Sequence, residues 1–419
     1  MSTVRDQGPI PIFMEKGWTM EQNRREFLKT TVAVAAFPGG RALGANDRIR
    51  VGGIGVGGRG AFIVRTVARA GGTEIVALCD VYEPRLRAAK ERLAPGAAEY
   101  ADYRRLLDRK DIDAVVIGSP DHWHVPMTID AVKAGKDVYV EKPVSHSIEE
   151  GERLERAVAA STQIVQVGYQ QRSWEHFKAA RAVIAGGKLG KITLILSSWY
   201  QNYLKDRGSI PKIEREKLDW KGFLGSAPDQ PFDALRYTRW RWFWDFGGGH
   251  LTDLFSHYGD VIHWYMGEDS PSAAVAIGGR SVLPEYECPD TITAAYEYPG
   301  GFQVVYSGTL VGSLDGGNII FRGSQAMMKI NRDGFAVYPE GVVPAEKTHY
   351  PAPETAMQSG GDGTLSHVNN FLECVRSRKA PAAYVKAAVA AARAAHLGNL
   401  AYRQGQSVRR IAASAQPGL

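Results

Sequence analysis

Lys142, Asp253 and His257 are the residues of this chain whose types and setting could do chemistry. Lys142 lies in Glu141-Lys142-Pro143, just after the apolar run Asp137 to Val140. A parallel strand gives way there to a loop, at the carboxyl edge where open α/β sheets bind ligands. Pro143 disfavours helix at Lys142 and fixes the direction in which its side chain leaves the sheet. Asp253 and His257 close the run Gly247-Gly248-Gly249-His250-Leu251-Thr252-Asp253-Leu254-Phe255-Ser256-His257. At i and i+4 they share one helical face, and the glycines bring backbone close to whatever lies in the cleft. A carboxylate and an imidazole a turn apart make a tuned general base for an alcohol proton. Other uses stay open: His250, Asp253 and His257 could hold a metal with an open position, His257 could be satisfied within a core, and Lys142 could be a solvated loop lysine.

A second constellation binds rather than reacts. Arg48 to Gly60, RIRVGGIGVGGRG, is an apolar strand running into a glycine-rich turn, with a helix-compatible segment from Ala61 to Ala70 behind it. In the register Gly55-Val56-Gly57-Gly58-Arg59-Gly60 the first glycine permits the tight turn, the second lets backbone approach a pyrophosphate, and the third lets helix and strand pack closely. The helix N-terminus then offers the phosphates free N–H groups and a partial positive charge. A second strand, Glu74 to Cys79, ends in Asp80, at about the ~20-residue distance where a dinucleotide fold places the acid that takes a ribose hydroxyl. That carboxylate favours NAD, because it would repel the 2′-phosphate of NADP; Arg85 or Arg87 could soften the preference.

The elements that must position these groups alternate along the first part of the chain. Asp113 to Gly118 reads as a strand, Pro126 to Ala134 as a helix, Asp137 to Val140 as a strand, Ser147 to Ala160 as a helix and Ile164 to Gly168 as a strand. This pattern specifies a doubly wound parallel sheet over residues 46–168. Over 169–410 the pattern changes to an α+β domain. Ile192 to Ser198, Ser272 to Ile277, Thr291 to Tyr298, Gly301 to Thr309 and Asn318 to Phe321 read as strands of an open antiparallel sheet, and helices Leu365 to Arg376 and Ala387 to Tyr402 close the chain.

With 419 residues, 44% of them hydrophobic, the chain can bury the core of two such domains. Cys79, Cys288 and Cys374 lie far apart and give neither a disulfide framework nor a zinc spacing, and no metal ligand set is assigned. The net charge of +6 includes a +2 excess within Met1 to Gly44, and no basic stripe points to nucleic acid. Within residues 1–44, Asn23-Arg24-Arg25-Glu26-Phe27-Leu28-Lys29 precedes the apolar run Thr30 to Phe37 and the small-x-small pattern Ala42-Leu43-Gly44. This resembles a twin-arginine signal, the route by which bacteria export folded proteins, and implies the export machinery as a partner and a periplasmic or otherwise exported location. An amphipathic N-terminal helix is the other reading. The apolar run falls short of the ~20 residues a membrane span requires. Met20 offers an alternative start, with residues 1–19 then outside the protein.

Taken in order, the glycine turn, the Glu-Lys-Pro triplet and the glycine-led Asp-x-x-x-His resemble the Gfo/Idh/MocA oxidoreductases, the family of glucose-fructose oxidoreductase and inositol dehydrogenase. Ser119-Pro120-Asp121-His122-Trp123-His124 matches the family's segment beside the nicotinamide, and Gly168-Tyr169-Gln170-Gln171-Arg172 the opening of its second domain; the similarity runs from about Arg48 to about Val408. The resemblance implies a Rossmann domain followed by a sheet whose outer face mediates homodimers or homotetramers. It implies that Lys142 hydrogen-bonds the reacting hydroxyl, that His257 is the acid/base and that Asp253 orients substrate and imidazole, with hydride passing between a sugar carbon and NAD. Cofactor contacts are then expected from Gly55, Gly57, Gly58, Arg59, Gly60, Asp80, Ser119, Pro120, His122, His124, Glu141 and Lys142. Substrate contacts are expected from Lys142, Tyr169, Arg172, Tyr200, Trp240, Asp253 and His257. Trp199, Tyr200, Tyr203, Tyr237, Trp240, Trp242 and Trp244 suit stacking on the apolar face of a pyranose, although half of them could be core or interface. Arg172, Lys205 and Arg239 could contact polyol or acid groups or be surface charge.

Export sharpens the expectation. An exported enzyme meets no pool of soluble NAD(H), so its cofactor must stay bound and be restored in each turnover. Coupled oxidation and reduction of two sugars, electron delivery to another acceptor, or a transient oxidation that enables glycosidic cleavage or epimerisation would each satisfy this. The N-terminal arm with which glucose-fructose oxidoreductase covers its cofactor has no clear counterpart between the expected cleavage site and Arg48. A sugar-sensing binding protein on the same fold is the non-enzymatic reading, but a sensor would not need Lys142, Asp253 and His257 together.

Overall fold

The computed structural model describes residues 48–204, 208, 210–341 and 350–409. The twin-arginine segment and Lys205 lie outside the described residues. The first apolar runs form β1 (Ile49–Ile54), β2 (Thr73–Cys79), β3 (Ala98–Tyr100), β4 (Ala114–Ile117), β5 (Asp137–Val140) and β6 (Val165–Val167). They pair in parallel in the order β3-β2-β1-β4-β5-β6. Strands β4 and β5 are buried throughout, which explains why they read as continuous apolar runs: helices cover both faces of the sheet.

Two of those covering helices come from the far end of the chain. Val368 and Phe371 of helix Thr364–Ser377 pack with Ile63, Val64 and Tyr139 on one face. Ala388, Val389 and Ala392 of helix Val385–Gln404 pack with Val125, Val140 and Leu154 on the other. The hydrophobic cores of residues 46–168 and 169–410 are thus shared across that boundary. Helix Asp121–Lys133 begins five residues before the expected Pro126, which sits inside it and forfeits a single intrahelical hydrogen bond. Ser119 to His124 therefore bring a helix N-terminus to the sheet edge.

The second sheet contains β7 (Ile192–Tyr200), β8 (Ala273–Gly279), β9 (Thr291–Tyr298), β10 (Phe302–Thr309), β11 (Gly317–Gly323), β12 (Ala326–Ile330), β13 (Gly334–Pro339), β14 (Thr355–Gln358) and β15 (Val408–Arg409). Their order is β14-β13-β12-β11-β7-β10-β9-β8-β15. The expected antiparallel sheet is in fact mixed: β7 and β10 run parallel, from Leu194 opposite Gln303 to Tyr200 opposite Thr309. Parallel neighbours need a long crossover, and the excursion between β7 and β8 supplies it. The added strands β12 to β15 are short, at two to six residues each, so their alternation is weak in the sequence. One face packs on helices Glu175–Ala185 and Ser256–Met266. The other leaves Val275 and Ile277 exposed. No helix among the described residues is long and apolar enough to cross a membrane.

Candidate active site

Strand order reverses between β1 and β4, and a crevice opens beyond their carboxyl ends. Gly55 takes φ +74°, and a Cβ there would stand 2.6 Å from the Ser119 nitrogen. A Cβ on Gly60 would collide with the Gly55 carbonyl, so this glycine packs helix Gly58–Arg69 onto the turn and makes no direct contact with the crevice. Gly57 and Gly58, in contrast, line the crevice, and a Cβ on Gly58 would meet nothing within 4 Å. The first-turn amides have no side-chain cap and are available to an anion. Asp80 sits at the end of β2, accepts the Val56 and Tyr82 amides at 3.0 Å each, and lies 3.6 Å from Arg85. Burial raises its pKa, opposed by Arg85 and the two amides. Arg85 lines the same crevice and lies over the Tyr82 and Tyr237 rings, whereas Arg87 pairs with Glu83 on the surface.

The excursion after β7 roofs this crevice with an aromatic cluster. Tyr82 bridges Leu218, the Asp219 amide donates to the Val81 carbonyl, and His122 Nε2 and Trp123 Nε1 both meet the Phe223 carbonyl, at 3.0 and 2.9 Å. Phe223, Tyr237 and Trp240 line the cavity of about 300 Å³ beneath. Together, the glycine cradle, Asp80, Ser119, Pro120 and this roof fit a dinucleotide. His122 does not line the space: it is buried, bonded to the roof and pushed down to about 4 by burial, so its role is to anchor Phe223. Trp123, Gly118 and Tyr237 line the crevice and were not expected as cofactor contacts.

A second cavity of about 310 Å³ adjoins the first, sharing Arg59, Ser119, Arg239, Trp240 and Arg241. Lys142 Nζ donates to the Asp253 carboxylate at 2.7 Å and to its backbone carbonyl at 2.6 Å, and Arg241 Nε donates to the same carboxylate at 3.2 Å. Burial alone works against a charged Asp253, but Lys142 and Arg241 outweigh it and bring the group down to about 2. Glu141 pairs with Arg59 Nε at 2.9 Å, and the His124 ring sits between the Ser119 and Pro143 carbonyls, donating its one N–H to one of them, where the loops after β4 and β5 meet.

His257 follows a π-turn, Leu251–Phe255, which re-aims the helix at its start. Its Nδ1 stands 3.2 Å from Gln171 Oε1, which can only accept, so the proton lies on Nδ1 and the Nε2 lone pair is free. Burial first, then the charges of Lys142, Arg332 and Arg59, push its pKa well below the ordinary histidine value. His257 is therefore neutral at neutral pH, with its Nε2 lone pair open to accept a proton. Asp253 was expected to orient this imidazole; it is engaged by Lys142 and Arg241, and Gln171 does the orienting. Trp199 stacks on the ring at 5.6 Å and 22°.

Other expected contacts fall elsewhere. Arg172 makes a buried two-oxygen ion pair with Asp260 at 3.0 and 2.8 Å, because a charge that deep requires a partner, and it does not reach the cavity. Tyr169 is fully buried behind His257, edge-on to its ring. Tyr200 follows Trp199 on β7 and projects to the opposite side; Trp199 is the residue that lines the cavity. Trp242 and Tyr203 line it too, while Trp244 lies in a separate pocket under Arg403. His250 turns away to Tyr306, with Nδ1 2.7 Å from its hydroxyl, so His250, Asp253 and His257 do not converge as metal ligands, and no group of three such residues gathers among the described residues. Gln171, Arg241 and Arg332 had no sequence signal beyond Gln171's place in the segment opening the second domain.

Residues 49–169 match the oxidoreductase family NAD-binding Rossmann fold of Gfo/Idh/MocA proteins, and residues 181–409 match that family's C-terminal alpha/beta domain. The chain belongs to the Gfo/Idh/MocA oxidoreductase family. Its first domain is an NAD-binding Rossmann domain, and the glycine cradle is the part of it that would hold the pyrophosphate. A glycosyl hydrolase family 109 protein of Shewanella sp. (strain ANA-3) is 35% identical over 30% of this chain and 35% of its own length. Inositol 2-dehydrogenase of Salmonella typhimurium is 28% identical over 56% of this chain and 60% of its own length. The alignments thus span less than two thirds of these relatives. A levoglucosan dehydrogenase solved with NADH and levoglucosan superposes with a TM-score of 0.67 at 18% identity, covering 86% of this chain and 99% of that one. A scyllo-inositol dehydrogenase from Lactobacillus casei gives 0.65 at 21%, covering 86% and 99%. Both share the fold.

Proposed function

We propose that this protein is an NAD-dependent oxidoreductase acting at a secondary alcohol or ketone carbon of a sugar, sugar derivative or polyol. The observation that carries this reading is the junction of the two cavities: Lys142 and His257 face one space that opens directly onto the roofed dinucleotide crevice. His257 Nε2 takes the alcohol proton, and Lys142, held by Asp253, donates a hydrogen bond to the oxygen as charge develops on it. Trp240, which lines both cavities, presents a face on which a pyranose stacks, while Trp199 is engaged by His257 and Arg332. Bound NAD supplies the hydride acceptor. Asp80 favours NAD over NADP, and the roof stitched to Val81, Tyr82, His122 and Trp123 supports a cofactor that stays bound through turnover. Mass spectrometry of denatured, filtered protein tests this, followed by a sugar screen that reads the reduced-nicotinamide band in a single turnover. Protein that neither carries nor binds nicotinamide would overturn the reading.

The family 109 relatives favour a second reading on the same residues: transient oxidation that permits glycosidic cleavage or epimerisation with no net redox change. Release of an aglycone without accumulation of the reduced band selects it. Export by the twin-arginine route remains part of the proposal, resting on Arg24 and Arg25, and loss of periplasmic protein on changing both to Lys tests it. Exposed Val275 and Ile277 support association of copies through the outer sheet face, which analytical ultracentrifugation checks.

A further inference from the structure

Five cationic side chains and two carboxylates line the reaction cavity. Asp253 is shared by Lys142 and Arg241, and Glu141 is held by Arg59. Arg332, in the turn between β12 and β13, has neither an ion pair nor a hydrogen bond to any described residue. Its guanidinium instead lies over Trp199, 4.7 Å from the ring centroid, on the same indole that stacks on His257. Arg59 faces the same space with its Nη2 buried and unpartnered. Both guanidinium groups line the junction of the reaction cavity and an adjoining cavity that also contains Gln170, and of the two only Arg59 has a direct carboxylate partner, Glu141. Asp333 and Asp362 line that second space without closing on Arg332. Arg332 does not line the dinucleotide crevice, so its charge is directed at what lies beside His257.

We infer that the sugar bound here carries an anionic group, a carboxylate or a phosphate, which Arg332 and Arg59 receive while Trp199 holds the guanidinium flat. A planar guanidinium matches either group with two parallel hydrogen bonds, and an anion between two like charges removes their repulsion. Neutral polyols would leave that repulsion in place. The inference rests on the sugar-site reading above and narrows its substrate class.

Binding to the holoenzyme, followed by tryptophan fluorescence and calorimetry, tests it with glucose, glucuronate and glucose 6-phosphate and with the three galactose counterparts. An anionic member should bind about ten- to a hundredfold tighter than its neutral parent, the range for hydrogen bonds to charged groups. The gap should narrow as salt rises, collapse in Arg332→Gln and survive in part in Arg332→Lys; a preference for the uronates or for the phosphates identifies which anion is read. The inference is overturned if no anionic sugar outbinds its parent, if the gap persists in Arg332→Gln, or if Arg332→Gln loses NAD on purification, which would assign the arginine to the cofactor. Failure of the hydride-transfer reading shows separately, as a nicotinamide band that no sugar alters while the binding ratio remains measurable.

Discussion

Lys142 and Asp253, 111 positions apart, meet twice: one ammonium donates to both the side chain and the backbone carbonyl of the same aspartate. The loop after β5 is thereby fastened to the π-turn that carries His257. Asp253 acts on the lysine rather than on the imidazole, so its removal should disorganise the alkoxide-stabilising group and leave the largely buried Lys142 and the partly exposed Arg241 underpaired. Asp253→Ala is expected to lower hydride transfer by at least ~10²-fold and to destabilise the fold by about 3–5 kcal/mol, the range for breaking a buried pair. Single-turnover kinetics and chemical denaturation check both. Wild-type stability with impaired chemistry would mean that the pair positions without stabilising.

His257→Ala should reduce hydride transfer by ~10²- to 10⁴-fold and leave NAD binding largely intact, because the residue lies outside the phosphate cradle. The pH profile of the wild type follows from the same site. A base works when deprotonated, so activity falls as pH drops through its pKa, and burial with the charges of Lys142, Arg332 and Arg59 places that pKa below the ordinary value of 6.5. The acidic limb of kcat/KM should therefore lie below pH 6.5. A limb at or above that value would indicate that another group is the base.

The glycine turn, Asp80, the Glu-Lys-Pro triplet and the Asp-x-x-x-His helix were legible because each is local: its residues are close in sequence and its element has a strong period. The partners of those residues were not. Gln171 reaches His257 across 86 positions and Arg172 reaches Asp260 across 88, and neither distance has a sequence signature. The strand expected over Ile192 to Ser198 runs on through Trp199 to Tyr200, and that extension, which the sequence does not signal, is what puts the two aromatics on opposite faces. The parallel pairing of β7 with β10 depends on how an irregular excursion returns, which periodicity does not encode.

Asp80→Ala should weaken NAD by ~1–3 kcal/mol, the range for removing a buried hydrogen-bond partner. Asp80 also accepts the Val56 and Tyr82 amides, so Asp80→Asn, which keeps one acceptor oxygen, should retain part of the affinity. Calorimetric titration of apoprotein with NAD and NADP measures both, and the change should be smaller for NADP. Equal losses for the two cofactors would assign Asp80 to the loop alone.

Acid should unfold this protein over a defined window. Burial pushes His122, His124, His250, His367 and His396 down to about 4. Between that value and the unfolded value of 6.5 the unfolded chain binds more protons, so stability rises with pH and is lost as pH falls, by about 1.4 kcal/mol per pH unit for each proton. Tm should be level above about pH 7 and fall steeply from 6.5 towards 4. A flat Tm over that interval would show that these rings are protonated in the native state.

Gly58 and Gly60 separate binding from packing within one turn. A methyl on Gly58 points into open space at the first position of a helix, where alanine is preferred over glycine by roughly 0.5–1 kcal/mol in a helix interior, so Gly58→Ala should leave Tm unchanged or slightly raised. Gly58 lines the crevice, so a methyl there narrows the space beside the pyrophosphate cradle and NAD affinity should fall. Gly60→Ala meets the Gly55 carbonyl and must move backbone, and it should lower Tm as well as NAD affinity. Thermal denaturation and NAD titration of the two variants side by side decide the matter. Gly58→Ala binding NAD as the wild type does would place the dinucleotide elsewhere.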